Sequence, residues 1–536
     1  MSSNARGIPR PAAPSLGVTW GGVPFNARQV LTVAAATMVV AGLAGPATAN
    51  AATPSASVAE RASVIVRELP GAGSTVEKAV SALGGSVGSQ LSIIGGFKAS
   101  VPADRLAALR AVPGVVSVTE DAGLSLQSTT DVADQASQPG SLYTLANKVT
   151  GASSLWDKGV TGKGVDVAVI DSGVVPVNGL AGKVVYGPDL SLEASSPAKN
   201  LDTYGHGTNM AGIIAGRDAG TTSYSGNSSD FVGMAPDSRI VSIKIADAKG
   251  QTDVSQAIAA IDWAVENRNK NGLNIRVLNM SFGTDGVQNY VLDPLAYAAE
   301  QAWHKGIVVV VAVGNQGSLT GLNNPADDPY VIAVGSDNTN GTATTADDAV
   351  SSFSNDGNGT RNPDLVAPGE HVVSLRDAGS YLDTQYPAAR IGDRLFRGSG
   401  TSQATAVVSG AAALLLSQRP DLTPDQVKAL LTRTAAPVPG ATPAQEGSGL
   451  IDLAAASAAP APADATQTFA VSTGLGSLEA ARGSVHVTVG GKLVQGEVDA
   501  RGKAFDSRTV AAGIKAQTNW SGMSWSGMSW SGMSWS

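Results

Sequence analysis

The chain holds 536 residues, with 36 Lys and Arg against 44 Asp and Glu, a net charge of −8, and only 15% charged residues. A mildly acidic chain has no general field for nucleic acid or anionic lipid, so neither is expected as a partner. The absence of cysteine excludes disulfides, thiolate nucleophiles and Cys-ligated metals, and the four histidines (His206, His304, His371 and His486) leave four candidates for a neutral-pH proton shuttle.

Residues 1–51 read as an export signal. Arg6, Arg10 and Arg28 precede an apolar run from Val30 to Leu43, and the small residues of Pro46–Ala52 carry an Ala-x-Ala cleavage pattern. The run is short for a bilayer span, which is the competing reading. No later stretch is long and apolar enough to span. The expectation is a secreted, extracellular monomer with no membrane span in its mature form.

Residues 62–126 form a small unit. Ala62–Arg67 alternates like a strand, and Ser74-x-x-Glu77 reads as a capping box for a helix to Leu83. Two strands punctuated by glycine run to Val101, a helix follows Pro102, and Pro113-Gly114 turns into Val115–Thr119. The order β-α-β-β-α-β predicts a ferredoxin-like α+β module.

Strand and helix alternate from about Leu155 to Leu453. The expected strands are Asp166–Ile170, Ile240–Ile245, Arg276–Met280 and Ile307–Val313. Asp253-x-x-Gln256 caps a helix that ends near Gly272, another helix closes at Gly306, and Thr423-Pro424-Asp425-Gln426 opens one through Thr434. Such alternation predicts an α/β fold, a doubly wound and mostly parallel sheet with helices on both faces, over residues 128–457. Residues 458–465 read as a linker and 466–519 as a glycine-spaced, β-rich extension. Residues 520–536 repeat Trp-Ser-Gly-Met-Ser three times and end in Trp535-Ser536. That array is either a disordered tail or a means of attachment to a surface or partner, such as the cell surface.

Three segments carry chemistry. In Val167–Val174 (V-A-V-I-D-S-G-V), Asp171 ends a buried strand, the edge where open α/β sheets collect functional groups. Taken alone it also fits a turn-forming residue before Ser-Gly. In Tyr204–Gly212 (Y-G-H-G-T-N-M-A-G), His206 stands between two glycines at the start of a small-residue helix. In Arg397–Gly410, Ser402 precedes a run, Ala404–Leu416, that is small or apolar on every side and so predicts a buried helix. Alone, Ser402 fits an ordinary N-cap. Together the three suit nucleophilic catalysis: a hydroxyl at a helix N-terminus, an imidazole to take its proton, and a carboxylate to orient the imidazole.

In this order the D-S-G, G-H-G-T and G-T-S-x-A segments resemble the subtilisin-like serine peptidases, the subtilase family, over roughly residues 60–456. The resemblance implies Asp171, His206 and Ser402 as the catalytic residues. Asn315, in V-V-V-V-A-V-G-N-Q-G, matches the family's oxyanion asparagine, to act with the Ser402 backbone N–H. Leu278–Gly283 (L-N-M-S-F-G) matches the edge strand that pairs with substrate, giving Ser281, Phe282 and Gly283 as substrate-binding residues, with Gly283 leaving room for the peptide. Residues 62–126 then look like the inhibitory propeptide, with a cut near Gln127–Ser128 or elsewhere in the polar stretch before Leu142. Protein or peptide substrates are implied, and no cofactor is required. Calcium is common in the family, but no local carboxylate loop here marks a site for it.

The chain departs from the family at Gln403, Ala406 and Val407, where Met, Pro and His are usual, and at Asn209, where His is common. Two other readings stand beside this one. A catalytically impaired homologue would act as a secreted binding scaffold. An aspartic peptidase would explain D-S-G, but needs a second such motif, and the sequence contains none.

Overall fold

The computed structural model describes residues 61–69, 72, 74–91, 96–120, 138–317, 321–484 and 486–520. The expected signal, the expected cut near Gln127–Ser128 and the tail from residue 521 onward lie outside the described residues.

The N-terminal module has strands β1 (Arg61–Glu68), β2 (Ser86–Leu91), β3 (Gly96–Pro102) and β4 (Val115–Glu120), with helices α1 (Thr75–Ala82) and α2 (Leu106–Arg110). The sheet order β2-β3-β1-β4 is antiparallel throughout, the ferredoxin-like arrangement. Val64, Val66, Val76, Val80, Phe97, Val101 and Leu109 make its own core, separate from that of the larger domain. The capping box at Ser74 does not form. Ser74 has φ −77° and ψ 15°, away from the extended backbone that aims a capping hydroxyl at the first turn, and its side chain makes no cap bond.

The larger domain is built on an eight-stranded sheet: β5 (Asp166–Asp171), β6 (Val184–Asp189), β7 (Arg239–Lys244), β8 (Ile275–Met280), β9 (Val308–Ala312), β10 (Ile332–Asn338), β11 (Ala349–Val350) and β12 (Leu365–Pro368). The order is β11-β10-β9-β8-β5-β7-β6, with β12 also beside β10; only the β10–β11 pair is antiparallel. β5, β7, β8 and β9 read as near-continuous apolar runs because helices cover both faces. The chain turns from one side of β5 to the other between β7 and β8, so the crevice at the C-terminal ends of β5 and β8 is the switch point where α/β sheets place their sites.

Four long helices flank or feed that crevice. They are α3 (His206–Ala215), α4 (Val254–Asn267), α5 (Pro294–His304) and α6 (Thr401–Gln418). The capping box on Asp253 forms as expected, and so does the one on Thr423 that opens α7 (Pro424–Arg433). α4 stops at Asn267 rather than near Gly272, because a turn through Asn271 (φ 54°) and Gly272 (φ 74°) carries the chain into β8.

The segment after residue 465 departs from the β-rich expectation. It contains helices α8 (Leu478–Arg482) and α9 (Ser507–Ala516), and its strands, Thr488–Val489 and Lys492–Leu493, are two residues each. The i, i+3 pairs Leu478/Ala481 and Ala511/Ile514 are buried in the same core as the main sheet. Among the described residues no helix is long and apolar enough to cross a membrane.

Candidate active site

Asp171 is the last residue of the fully buried β5, so its carboxyl emerges at the switch point. Its Oδ1 accepts the Ser172 backbone N–H at 2.7 Å. His206 begins α3, and Nδ1 lies 2.8 Å from Asp171 Oδ1 and 3.0 Å from Oδ2. A ring nitrogen facing a carboxylate carries the proton, which leaves Nε2 as the basic atom. Both flanking glycines are required. Gly205 has φ 101°, and a Cβ on Gly207 would lie 2.1 Å from the Gly173 carbonyl, so only glycine lets α3 approach β5 this closely.

The loop before His206 is held by residues that the sequence reading did not single out. Asp202 is buried and accepts from Ser172 Oγ at 2.8 Å, Gly205 N–H at 2.6 Å and Thr208 N–H at 2.7 Å. Lys244, fully buried at the end of β7, donates to Ser172 O at 3.0 Å and Leu201 O at 2.6 Å, and pairs with Glu193 at 2.8 Å. A charged residue closing an otherwise apolar strand was the available signal for Lys244. For Asp202 it was an acidic residue just ahead of a helix start. Burial alone would lower the pKa of His206, but the Asp171 carboxylate beside it, its hydrogen bond and Asp202 behind them outweigh burial, and the pKa is raised.

Ser402 sits in the first turn of α6, a helix buried from Thr401 through Leu416. Its Oγ donates to Ser281 O at 3.0 Å, and Ser281 Oγ donates back to Ser402 O at 3.1 Å. The nucleophile candidate is therefore tied to the edge beyond β8, with its proton directed at that edge rather than at the imidazole. Asn315 follows β9. Its Oδ1 accepts Thr401 N–H at 2.8 Å and Thr401 Oγ1 at 3.0 Å. A backbone N–H can only donate, so that contact fixes Oδ1 toward Thr401 and leaves Nδ2 as a free donor. A Cβ built on Gly400 would lie 3.5 Å from Asn315 Nδ2 and 3.7 Å from Ser402 N. Both nitrogens thus lie within 4 Å of one point beside Gly400, at the positive end of α6.

Ser281 is buried, while Phe282 and Gly283 are half-buried at the rim. Gly283 serves a tighter purpose than the room for substrate expected of it: a Cβ there would meet Asn324 O at 3.0 Å and Asn323 Cβ at 3.1 Å. Asn209 is buried, donating to Leu375 O and Phe396 O at 3.3 Å each. It joins the His206 helix to the ribbon Val372–Leu375 and Leu395–Gly398 that leads to Ser402. Gln403, Ala406 and Val407 are all buried in α6. The remaining histidines stand elsewhere, His304 on Glu300 at 3.1 Å and His486 on Glu479 at 2.9 Å. Among the described residues no three His, Asp or Glu side chains gather so as to hold a metal ion.

Comparison with known proteins shows the family. The Subtilase family profile matches residues 162–472, and residues 43–121 match a profile described as "Putative peptidase inhibitor domain". The chain is 39% identical to Serine protease AprX of Bacillus subtilis (strain 168), over 51% of this chain and 61% of that protein. It is 32% identical to Minor extracellular protease Epr of the same organism, over 51% of this chain and 35% of Epr. It is 33% identical to Subtilisin of Bacillus pumilus, over 57% of this chain and 95% of that protein. The chain thus spans less than two thirds of the length of AprX and of Epr, but nearly all of the Bacillus pumilus protein. With a profile match over more than half of its length, laid on a switch-point crevice of this geometry, the chain belongs to the subtilase family.

Proposed function

We propose that this protein is a secreted serine endopeptidase that hydrolyses peptide bonds through an acyl-enzyme. The observation that carries the reading is the paired contact of His206 Nδ1 with both oxygens of Asp171, placed at the same sheet edge as Ser402. An extended substrate adds to the edge Ser281–Gly283 by main-chain hydrogen bonds. The Ser402 hydroxyl turns about its Cα–Cβ bond from Ser281 O to His206 Nε2, gives up its proton and attacks the peptide carbonyl carbon. The carbonyl oxygen becomes an oxyanion between Ser402 N–H and Asn315 Nδ2. Asp171 stabilises the imidazolium and keeps its orientation. Collapse breaks the C–N bond as His206 delivers its proton to the leaving amine. Water then repeats the sequence on the ester, with His206 as base, and frees the acid.

The module within residues 62–126 acts as the inhibitor of its own catalytic domain, supported by its ferredoxin-like fold and by the inhibitor-profile match. Removal by a cut between that module and residue 138 yields the active form. The contact of Asp171 with an imidazole, not with a second carboxyl, disfavours an aspartic mechanism.

The test is covalent. The mature protein is treated with an aryl phosphonate ester, and labelling is located by peptide mass analysis. One equivalent on Ser402, abolished in Ser402→Ala, is expected. A folded protein that takes up no label would leave the scaffold reading in its place. Expression of Ser402→Ala in a protease-free system should accumulate precursor with the N-terminal module attached.

A further inference from the structure

Beyond residue 472, where the subtilase match ends, the chain stays on the domain. Thr473 N–H donates to Val291 O, and Gly476 N–H to Leu292 O, both at 2.7 Å. α8 then sets its last residues against the segment that comes after Gly283. Ala481 O accepts from Thr284 Oγ1 at 2.6 Å and from Asn324 Nδ2 at 3.4 Å. Thr284 and Asn324 are themselves main-chain partners, N–H to O at 2.9 and 3.0 Å in the two directions. One carbonyl of the extension therefore clamps both halves of the bridge that ends the edge Ser281–Gly283. A Cβ on Gly286 would stand 2.8 Å from Ala480 O and 2.9 Å from Ala481 O, so the surfaces meet without a gap.

The next residue fixes where that carbonyl stands. The Arg482 side chain is fully buried. Nε donates to Asp253 Oδ2 at 2.6 Å, and Nη2 to Asp253 Oδ1 at 3.3 Å and to Val498 O. Nη1 donates to Glu479 Oε2 at 2.9 Å and Gly496 O at 2.6 Å. All five guanidinium donors are met, the condition for tolerating a buried cation. Asp253 caps α4, at the end of a segment that begins where Ile245 N–H donates to Asp171 O at 2.8 Å. α8 thus joins the loop that follows β7 beside Asp171 to the bridge that closes the substrate edge.

We propose that α8, through Ala481 O and Arg482, is a positioning element for substrate. It holds Ser281–Gly283 in the register that an extended peptide needs, and so sets KM for peptides rather than the reactivity of Ser402. The inference rests on the serine peptidase reading. A peptide that pairs with an edge already held in place loses less of its binding energy to ordering that edge. A reagent that meets only Ser402 makes no use of it.

The experiment uses full-length chain matured to active protein. Wild type, Thr284→Val, Thr284→Ser, Arg482→Lys and Arg482→Met are compared. Each is assayed on a tetrapeptide anilide and a single-residue ester, and for its rate of inactivation by phenylmethanesulfonyl fluoride. Loss of the Thr284 hydroxyl, a nearly isosteric change, is expected to raise the tetrapeptide KM about fivefold, the effect of one hydrogen bond's worth of alignment. Ester turnover and sulfonylation should stay within about twofold of wild type, and Thr284→Ser should restore KM. Arg482→Met should show the same split more strongly, with Arg482→Lys in between. An unchanged tetrapeptide KM in Thr284→Val overturns the proposal, as does a parallel fall in ester turnover and sulfonylation. Wild type that is not sulfonylated overturns the serine reading itself, and is told apart by that result.

Discussion

Ser281 and Ser402 exchange hydrogen bonds: each hydroxyl donates to the other's backbone carbonyl, at 3.1 and 3.0 Å. Behind Ser281, Asn279 Nδ2 donates to its hydroxyl at 3.0 Å, and Ser409 Oγ donates to Asn279 Oδ1 at 2.9 Å. A buried polar chain thus runs from α6 to β8 and back to the N-terminus of α6. Ser281→Ala removes one member and strands the Asn279 amide. It should lower kcat/KM for a peptide by about three- to tenfold, the worth of one such bond, while burst labelling of Ser402 remains stoichiometric. Steady-state kinetics beside active-site titration measure both. No change in kcat/KM would mean that the pair is incidental.

Asn315 is held through its oxygen, so its nitrogen is the atom at risk. Asn315→Leu is expected to cut kcat by about 10²–10³ with KM little changed, the loss that removal of one oxyanion donor causes in subtilisin. Asn315→Asp, which offers no amide donor, should be as poor. A large rise in KM instead would place the residue in ground-state binding.

The raised pKa of His206 has a direction that activity can read. Only the neutral imidazole can accept the Ser402 proton, so kcat/KM falls as pH drops through the His206 pKa. Because Asp171 outweighs burial and lifts that value, the acid limb should lie above the roughly 6.5 of a free imidazole. Asp171→Asn should shift the limb to lower pH and reduce kcat by about 10⁴. A pH–rate profile of both forms decides it, and an unshifted limb would detach Asp171 from His206 in function.

A second titration lies away from the site. Asp337 and Asp348 are buried beside each other, and none of their four carboxyl oxygens meets an N–H or O–H donor of any other described residue. Burial first, then Asp348 and Glu370, push Asp337 up to about 8, while burial and Asp347 push Asp348 up to about 6. The arrangement is a carboxyl–carboxylate pair sharing a proton. A carboxyl raised on folding contributes stability that is complete below its unfolded value near 3.9 and is lost as pH rises through its folded value. The thermal midpoint should therefore fall between about pH 4 and pH 8, and Asp337→Asn, which donates to Asp348 without titrating, should flatten that fall. A midpoint independent of pH in wild type would refute the shared proton.

Gly207→Ala sets a methyl group where the Gly173 carbonyl already stands, 2.1 Å away. The clash forces α3 from β5, so the domain should lose about 1–3 kcal/mol by denaturant melt. Peptidase activity should fall further than stability does, because His206 moves with the helix. Stability at the wild-type level would show that the backbone shifts without cost.

Asp171, His206 and Ser402 stand out in the sequence because each sits beside an unusual local pattern: a carboxylate closing an apolar strand, an imidazole between glycines, a hydroxyl before an apolar helix. Their supports do not. Thr401 meets Asn315 across 86 positions, and Ser281 meets Ser402 across 121, distances at which no periodicity speaks. Asp202 and Lys244 lie 42 positions apart and are joined only in the fold, through the hydroxyl and the carbonyl of Ser172. The N-terminal module was readable in its element order, yet the Ser74 box failed because a backbone torsion, invisible in the motif, turned the hydroxyl away. The extension was misread as β-rich because glycine spacing obscured two short amphipathic pairs, Leu478/Ala481 and Ala511/Ile514.

Those pairs make the extension part of the larger domain. Leu478, Ala481, Ala511 and Ile514 fill the same apolar interior as β5 through β10. Loss of the extension would therefore uncover part of that interior to solvent, so the segment is a structural layer of the domain and not an appendage.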